Sequence, residues 1–535
     1  MRRKALVLGL DGADWSVLRP LCDAGRLPIL ARWIGDATTA PLPSVTPPMS
    51  FPAWSSFATG LGPGRHGIFD FTQRLPNARR IRFVNAADRA GEPFWMRASR
   101  AGRRVLCLGV PATHPADPVD GLLVPGFDAP VSAGSDARLA TDPALYARVA
   151  TRAGPWMTAD LDEGARGGDW HERAAAQLLA RVDRKLCFAL EALRALRENG
   201  RDPELAIVVF SESDTVAHHY WRDHDAGSPR HDPTASAARK GALAAVYERL
   251  DGALGALRAA FGEDAACFVV SDHGQGGASR RVVHVNRRLE ECGLLARRRA
   301  RAIDTAARRA RDLALRALPP RAAQAIFRRA RASAARLESA ARFGGIDWSR
   351  TVACSEEVNT QPGVWLETRA GDTERARRDV IDALLDWKLE GGMPVVAWAR
   401  PREEVYEGPF VSRAPDVVFA LGLEKGYAHS LVATPWEHAH LSTIRTLAND
   451  ELAGGRGRGM NGTHRRDGIW LATGGEAAAR TERPADITEV AGVVLRALGI
   501  KEVDAPRCDR MQAAPYTADE EARVASRLRA LGYLE

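Results

Sequence analysis

Asp11, Ser50, Asp214, His218, Asp272, His273 and His464 are the residues of this 535-residue chain whose types and positions could do chemistry together. Three Asp and three His, with no Cys, offer the oxygen and nitrogen donors that hold zinc or manganese, and using all six takes two ions. Two ions about 4 Å apart can lower the pKa of a bound hydroxyl and grip both the attacking and the leaving oxygen of an in-line displacement. Ser50 would supply the hydroxyl. The set would then transfer a phosphoryl group.

Each residue alone has an ordinary structural reading. Ser50 reads as an N-cap and Asp11 as a cap for the helix near Trp15, while a histidine is usually a satisfied polar residue. What joins them is the set of elements before them. KALVLGLDGAD reads as a central strand ending at Asp11, and ligands gather at the carboxyl ends of strands in open α/β sheets. LAIVVF is a second buried parallel strand, with Asp214 just past its end. His218 follows four residues later, on the same helix face. CFVV is a third, followed by Asp272 and His273, which reach one ion if the backbone bends sharply at Gly274. His464 sits in a polar loop just before the strand GIWLA.

Ser50 opens SFPAWSSFATGLGPGRHGIFDF, read as a turn into a helix with Trp54, Phe57 and Ala58 on its buried side and Pro52 in the first turn. Such a helix start presents N–H groups to an anion, so the backbone at Phe51 and Ala53 is a candidate for a nonbridging phosphate oxygen. In the Gly-rich loop, Arg65 is a candidate phosphate contact and His66 a structural residue.

Hydrophobic residues at 45% and charged residues at 27% fit a globular protein with a real core. The net charge of +8 suits anionic substrates or surfaces without naming one. The seven cysteines form no C-x-x-C pair and are odd in number, which suits a reducing compartment and disfavours disulfides and a thiolate zinc site. The N-terminal apolar run is too short for a signal peptide, and no stretch is long and apolar enough to span a bilayer. Together these point to a cytoplasmic protein.

The motifs LGLDGAD, SFPAWSSFATGLGPGRHGI, SDTVAHHYW, VVSDHGQGG and MNGTHRRDGIW, in this order, resemble the alkaline phosphatase superfamily. Closest is its type I phosphodiesterase/nucleotide pyrophosphatase branch, with the bacterial predicted phosphohydrolase/phosphomutase proteins. The resemblance implies an α/β fold with a largely parallel central sheet, helices on both faces and a helical insertion. It implies one ion on Asp214, His218 and His464, and another on Asp11, Asp272 and His273 beside Ser50, zinc first and manganese second. It implies attack by Ser50 on phosphorus and a phosphoserine intermediate that is then hydrolysed. Nucleotide pyrophosphatases usually carry Thr as nucleophile and Asn three residues later, whereas Ala53 stands at that spacing here. No Cys-x-Pro-x-Arg motif is present for a sulfatase.

The expected organisation is a catalytic core in two parts, 1–295 and 346–505, with a helical insertion near 131–200 and an Arg-rich insertion or lid at 296–345. A tail at 506–535 carries a short amphipathic helix. The expected substrate is a small phosphate ester or nucleotide-like molecule. Alternatives are a phosphomutase or phosphomonoesterase, or a protein that docks on anionic lipid or nucleic acid through the two helices around Pro319-Pro320. The sequence leaves the oligomeric state open.

Overall fold

Five short apolar runs, Ala5–Leu10, Val105–Leu108, Gly121–Val124, Leu205–Phe210 and Ala266–Val270, are buried along their whole length and pair in parallel. The computed structural model describes residues 3–75, 79–129, 136–157, 161, 170–298, 334–367, 372–436, 442–452, 459–474, 482–501 and 516–530. The five runs lie in a seven-stranded sheet ordered Thr38–Pro43, Asp467–Thr473, Ala266–Val270, Ala5–Leu10, Leu205–Phe210, Val105–Leu108, Gly121–Val124. Asp467–Thr473 runs antiparallel to both of its neighbours.

The strand period of two divides the core. Leu6, Leu8 and Leu10 enter one apolar cluster, with the helices Trp15–Asp23, Trp170–Glu198 and Ala237–Phe261. Ala5 and Val7 enter another, with Ser50–Thr59, Phe94–Arg100 and Val490–Ala497. Helices therefore cover both faces, as the fold class requires.

Register places the site. Ala5 pairs with both Leu205 and Ala266, and Leu10 with Phe210, so the three central strands end at one edge. The helix Glu212–His224 starts there. Because Asp467–Thr473 is antiparallel, its beginning lies at the same edge, and so does the preceding strand Gly462–Arg465. The strand Gly274–Val283 leaves this edge and pairs with Gly462–Arg465, with Tyr427–Leu431 and with Ile444–Thr446.

Of the segment expected to be the second part of the core, the main sheet receives, among the described residues, only Asp467–Thr473. Ala353–Cys354, Gly363–Leu366, Val417–Leu421 and Val396–Pro401 form a separate antiparallel sheet. It has its own apolar cluster with Val380 and Leu384 of the helix Thr373–Leu385. Alternating strand and helix signals do not carry strand direction, so this sheet does not stand apart from the core in the sequence. Near 131–200 stand the helices Pro143–Ala153 and Trp170–Glu198, the latter tied to the core by a buried Lys185–Glu212 pair at 2.8 Å. Of the Arg-rich segment, Ala334–Phe343 is a helix. The expected helices around Pro319-Pro320 lie outside the described residues. The tail forms the helix Ala518–Ala530. Among the described residues no helix is long and apolar enough to cross a membrane, and the six cysteines are free.

Candidate functional site

Ser50 is the first residue of a wholly buried helix, Ser50–Thr59, and Met49 is its N-cap. This corrects the reading of Ser50 as the cap. The Phe51 N–H faces Met49 Sδ at 3.4 Å, while the Ala53 N–H is taken by Met49 O at 3.0 Å. Sulfur is a weak acceptor, so the Phe51 N–H remains available to a better one. The Ala53 N–H is spent in the helix ladder and does not serve as the phosphate contact expected of it. The Ser50 hydroxyl, released from capping, lies 3.4 Å from Asp11 Oδ1 and 3.5 Å from His273 Nε2.

The candidate ligands converge at the sheet edge. Asp214, His218 and His464 offer ligand atoms within 4.8 Å of one another, and so do Asp11, Asp214 and His273. Asp214 belongs to both groups. Asp272 stands beside the second group, with Oδ2 3.4 Å from His273 Nε2 and Oδ1 accepting from Gly12 N at 3.2 Å. Gly274 serves by close approach more than by a bend. A Cβ there would lie 2.2 Å from Asp467 O and 2.5 Å from Asp14 Oδ2.

The histidines are oriented alike. Nδ1 of His218 lies 2.8 Å from Gly462 O, Nδ1 of His464 3.0 Å from Pro48 O, and Nδ1 of His273 3.1 Å from Gly274 O. Each carbonyl draws the ring hydrogen to Nδ1 and leaves Nε2 as a lone pair facing inward. His218 Nε2 and His464 Nε2 stand 3.0 Å apart, and Asp214 Oδ1 lies 3.2 and 3.5 Å from them. Three acceptors meeting at one point are resolved by a cation. Asp272 Oδ2, buried without a hydrogen-bond partner, is a further orphan that an ion would satisfy. The donor set of carboxylate oxygens and neutral imidazoles fits two divalent ions.

Charge at the site follows from burial. Burial, then repulsion from Asp272 and Asp214, pushes Asp11 well above the usual carboxylate range. Burial pushes Asp272 up to about 7, with the Gly12 N–H pulling against it. Burial also opposes ionisation of Asp214, yet His218 and His464 hold it well below the usual range. Burial brings His273 down to about 4, and burial with His273 does the same to His464. Both rings are therefore neutral near pH 7, the state in which imidazole binds a metal.

Arg65 is exposed, its stem against Gly408, whereas the ligand candidates are buried or nearly so. His66 is buried, bonded to Ser56 Oγ at 2.9 Å and accepting from Ile68 N at 3.1 Å, the structural role expected. Trp54, expected on the buried side of its helix, also reaches the site: its Nε1 donates to Asp11 Oδ2 at 3.1 Å. Gln275, unnoticed in the sequence, donates to Asp214 Oδ1.

The sequence model of the type I phosphodiesterase / nucleotide pyrophosphatase family matches residues 5–371. The chain belongs to this family. It is thus a phosphohydrolase of the phosphodiesterase/pyrophosphatase type within the alkaline phosphatase superfamily. The matched span holds Asp11, Ser50, Asp214, His218, Asp272 and His273; His464 lies beyond it. This phosphodiesterase-family chain is similar in fold to solved structures. Phosphonoacetate hydrolase from Sinorhizobium meliloti in complex with phosphonoacetate aligns at TM-score 0.52 and 15% identity, over 93% of this chain and 96% of that one. The complex of that hydrolase with phosphonoformate gives 0.51 and 16%, with the same coverage. Murine ectonucleotide pyrophosphatase/phosphodiesterase 5 in complex with AMP gives 0.47 and 14%, over 94% and 96%. No curated protein matches the chain in sequence.

Proposed function

We propose that the protein is a two-metal-dependent hydrolase of phosphate esters that works through a phosphoserine at Ser50, with diesters or nucleotide-like pyrophosphates as its substrates. The observation that carries this reading is the Ser50 hydroxyl, uncoupled from capping and set between Asp11 Oδ1 and His273 Nε2 at 3.4 and 3.5 Å. Asp214, His218 and His464 would hold one ion, and Asp11, Asp272 and His273 the other. When bound, the ions supply positive charge that stabilises a serine alkoxide and the charge developing on phosphorus.

The chain's own residues do the rest. Ser50 Oγ forms the new bond to phosphorus while the ester oxygen opposite it departs. The Phe51 N–H exchanges Met49 Sδ for a nonbridging phosphoryl oxygen, a much stronger acceptor. The buried aromatic rings of Phe51, Phe71 and Phe127, whose centroids lie 4.4 to 6.1 Å apart, back this helix start and exclude water behind it. Water then breaks the Ser50–phosphorus bond and restores the hydroxyl. Family membership supports diester and pyrophosphate substrates; Ala53, buried where nucleotide pyrophosphatases carry Asn, provides no side-chain amide to phosphate.

The deciding experiment measures hydrolysis of bis-p-nitrophenyl phosphate and p-nitrophenyl phosphate with zinc or manganese. Ser50→Ala and Asp272→Ala should each lose about 10³-fold or more in kcat. Equal activity in the wild type and both variants would sink the proposal.

A further inference from the structure

Gln275 is a buried amide with one end unused. It lies on the strand Gly274–Val283 directly across from His464 and is 3% exposed. Its Nε2 donates to Asp214 Oδ1, the oxygen shared between the two candidate ligand groups. A Cβ added to Gly12 would lie 3.0 Å from this nitrogen, so the amide rests beside the backbone that follows Asp11. Its Oε1 is buried and has no hydrogen-bond partner.

A structural glutamine in a protein interior normally has both ends satisfied, because burying an amide carbonyl unpaired is costly. Turning the amide over does not help. It would set Oε1 against Asp214 Oδ1, acceptor against acceptor. The orphan oxygen therefore belongs to the arrangement, carried on the amide that touches Asp214 Oδ1, the carboxylate common to both candidate ligand groups.

We propose that Gln275 is a metal-site residue whose Nε2 orients Asp214 and whose Oε1 is an additional oxygen donor to a divalent cation. The inference rests on the two-metal reading and deepens it. A neutral oxygen beside the three N/O donors assigned to an ion would fill a fourth position without adding charge.

Titration calorimetry of chelator-stripped wild type, Gln275→Met and Gln275→Glu with manganese chloride and with zinc chloride tests this. Methionine keeps the side-chain length and removes both amide functions, and glutamate keeps an oxygen while losing the donor. Manganese and zinc should each bind about 10-fold to 100-fold more weakly to Q275M at one of the two sites, and Q275E should recover the affinity. Unchanged manganese binding by Q275M overturns the inference, as does a Q275E as weak as Q275M, which would leave only the bond to Asp214. Cooperative melting of the stripped variants certifies their fold, with Gln275→Ala replacing Q275M if that variant does not fold. A wild type that binds no divalent ion removes the two-metal reading itself, whereas wild-type binding with an indifferent Q275M removes the inference alone.

Discussion

Trp54 shows how one residue can serve the core and the site together. Its ring lies in the apolar cluster on one face of the sheet, 5.0 Å from the Phe57 ring between centroids, while Nε1 donates to Asp11 Oδ2 at 3.1 Å. Trp54→Phe keeps most of the packing and removes the donor. A hydrogen bond to a charged group contributes about 1.5–3 kcal/mol, and its loss lets a proton compete better for Asp11. The variant should therefore bind divalent ions about 10-fold more weakly, read by competition with a chelating dye. An unchanged affinity would return Trp54 to a packing role alone. Asp11, Asp214, Asp272 and the three histidines were legible because each follows or adjoins an apolar strand, a pattern written in neighbouring residues. Trp54 and Gln275 were not, because their partners lie 43 and 61 positions away in the chain.

At Gly462 the strand Gly462–Arg465 packs directly on the backbone of the helix Glu212–His224. A Cβ on Gly462 would lie 2.3 Å from Ala217 O and 3.1 Å from His218 N. The same glycine's carbonyl accepts from His218 Nδ1, and Asn461 N donates to His218 O at 3.0 Å. Gly462→Ala must push the strand from the helix, separating His464 from His218. Such overpacking costs about 1–3 kcal/mol. The change should weaken the ion shared by His218 and His464 more than its neighbour, so metal analysis after limited chelation should give one ion where wild type retains two. Loss of both ions in parallel would argue against separate sites. The strands of the parallel core could be read from continuous apolar runs, since strands buried on both faces need no alternation. The antiparallel sheet of residues 353–421 could not be separated from it, because nothing local in GVWL or VVFAL states which strand it will pair with.

At the scale of the whole molecule, the loop that follows the Ser50 helix is joined to the Arg-rich segment and to the approach to the second sheet through one buried network. Arg342 on the helix Ala334–Phe343 donates to Glu356 at 2.5 Å, to Glu338 at 3.1 Å and to Thr72 at 3.2 Å, and Thr72 donates to Asp70 at 3.2 Å. Burial pushes the Asp70 carboxyl from 3.8 up to about 6, with Arg342 pulling against it and Glu356 adding to it. The folded state therefore binds more protons than the unfolded one between about pH 4 and pH 6. Stability from protonated Asp70 is complete below that window and is lost as pH rises through it, about 3 kcal/mol in all. His66, brought down to about 3 by burial, acts oppositely, losing stability as pH falls below about 6.5. Asp70→Asn removes only the first contribution and leaves the second common to both proteins. Urea unfolding from pH 4 to pH 8 should show the asparagine variant gaining about 2.5 kcal/mol on wild type, with the change centred between the two Asp70 values. A constant difference across that range would mean that Arg342 keeps Asp70 ionised throughout, and that the loop is joined to its neighbours by an ion pair in place of a buried acid.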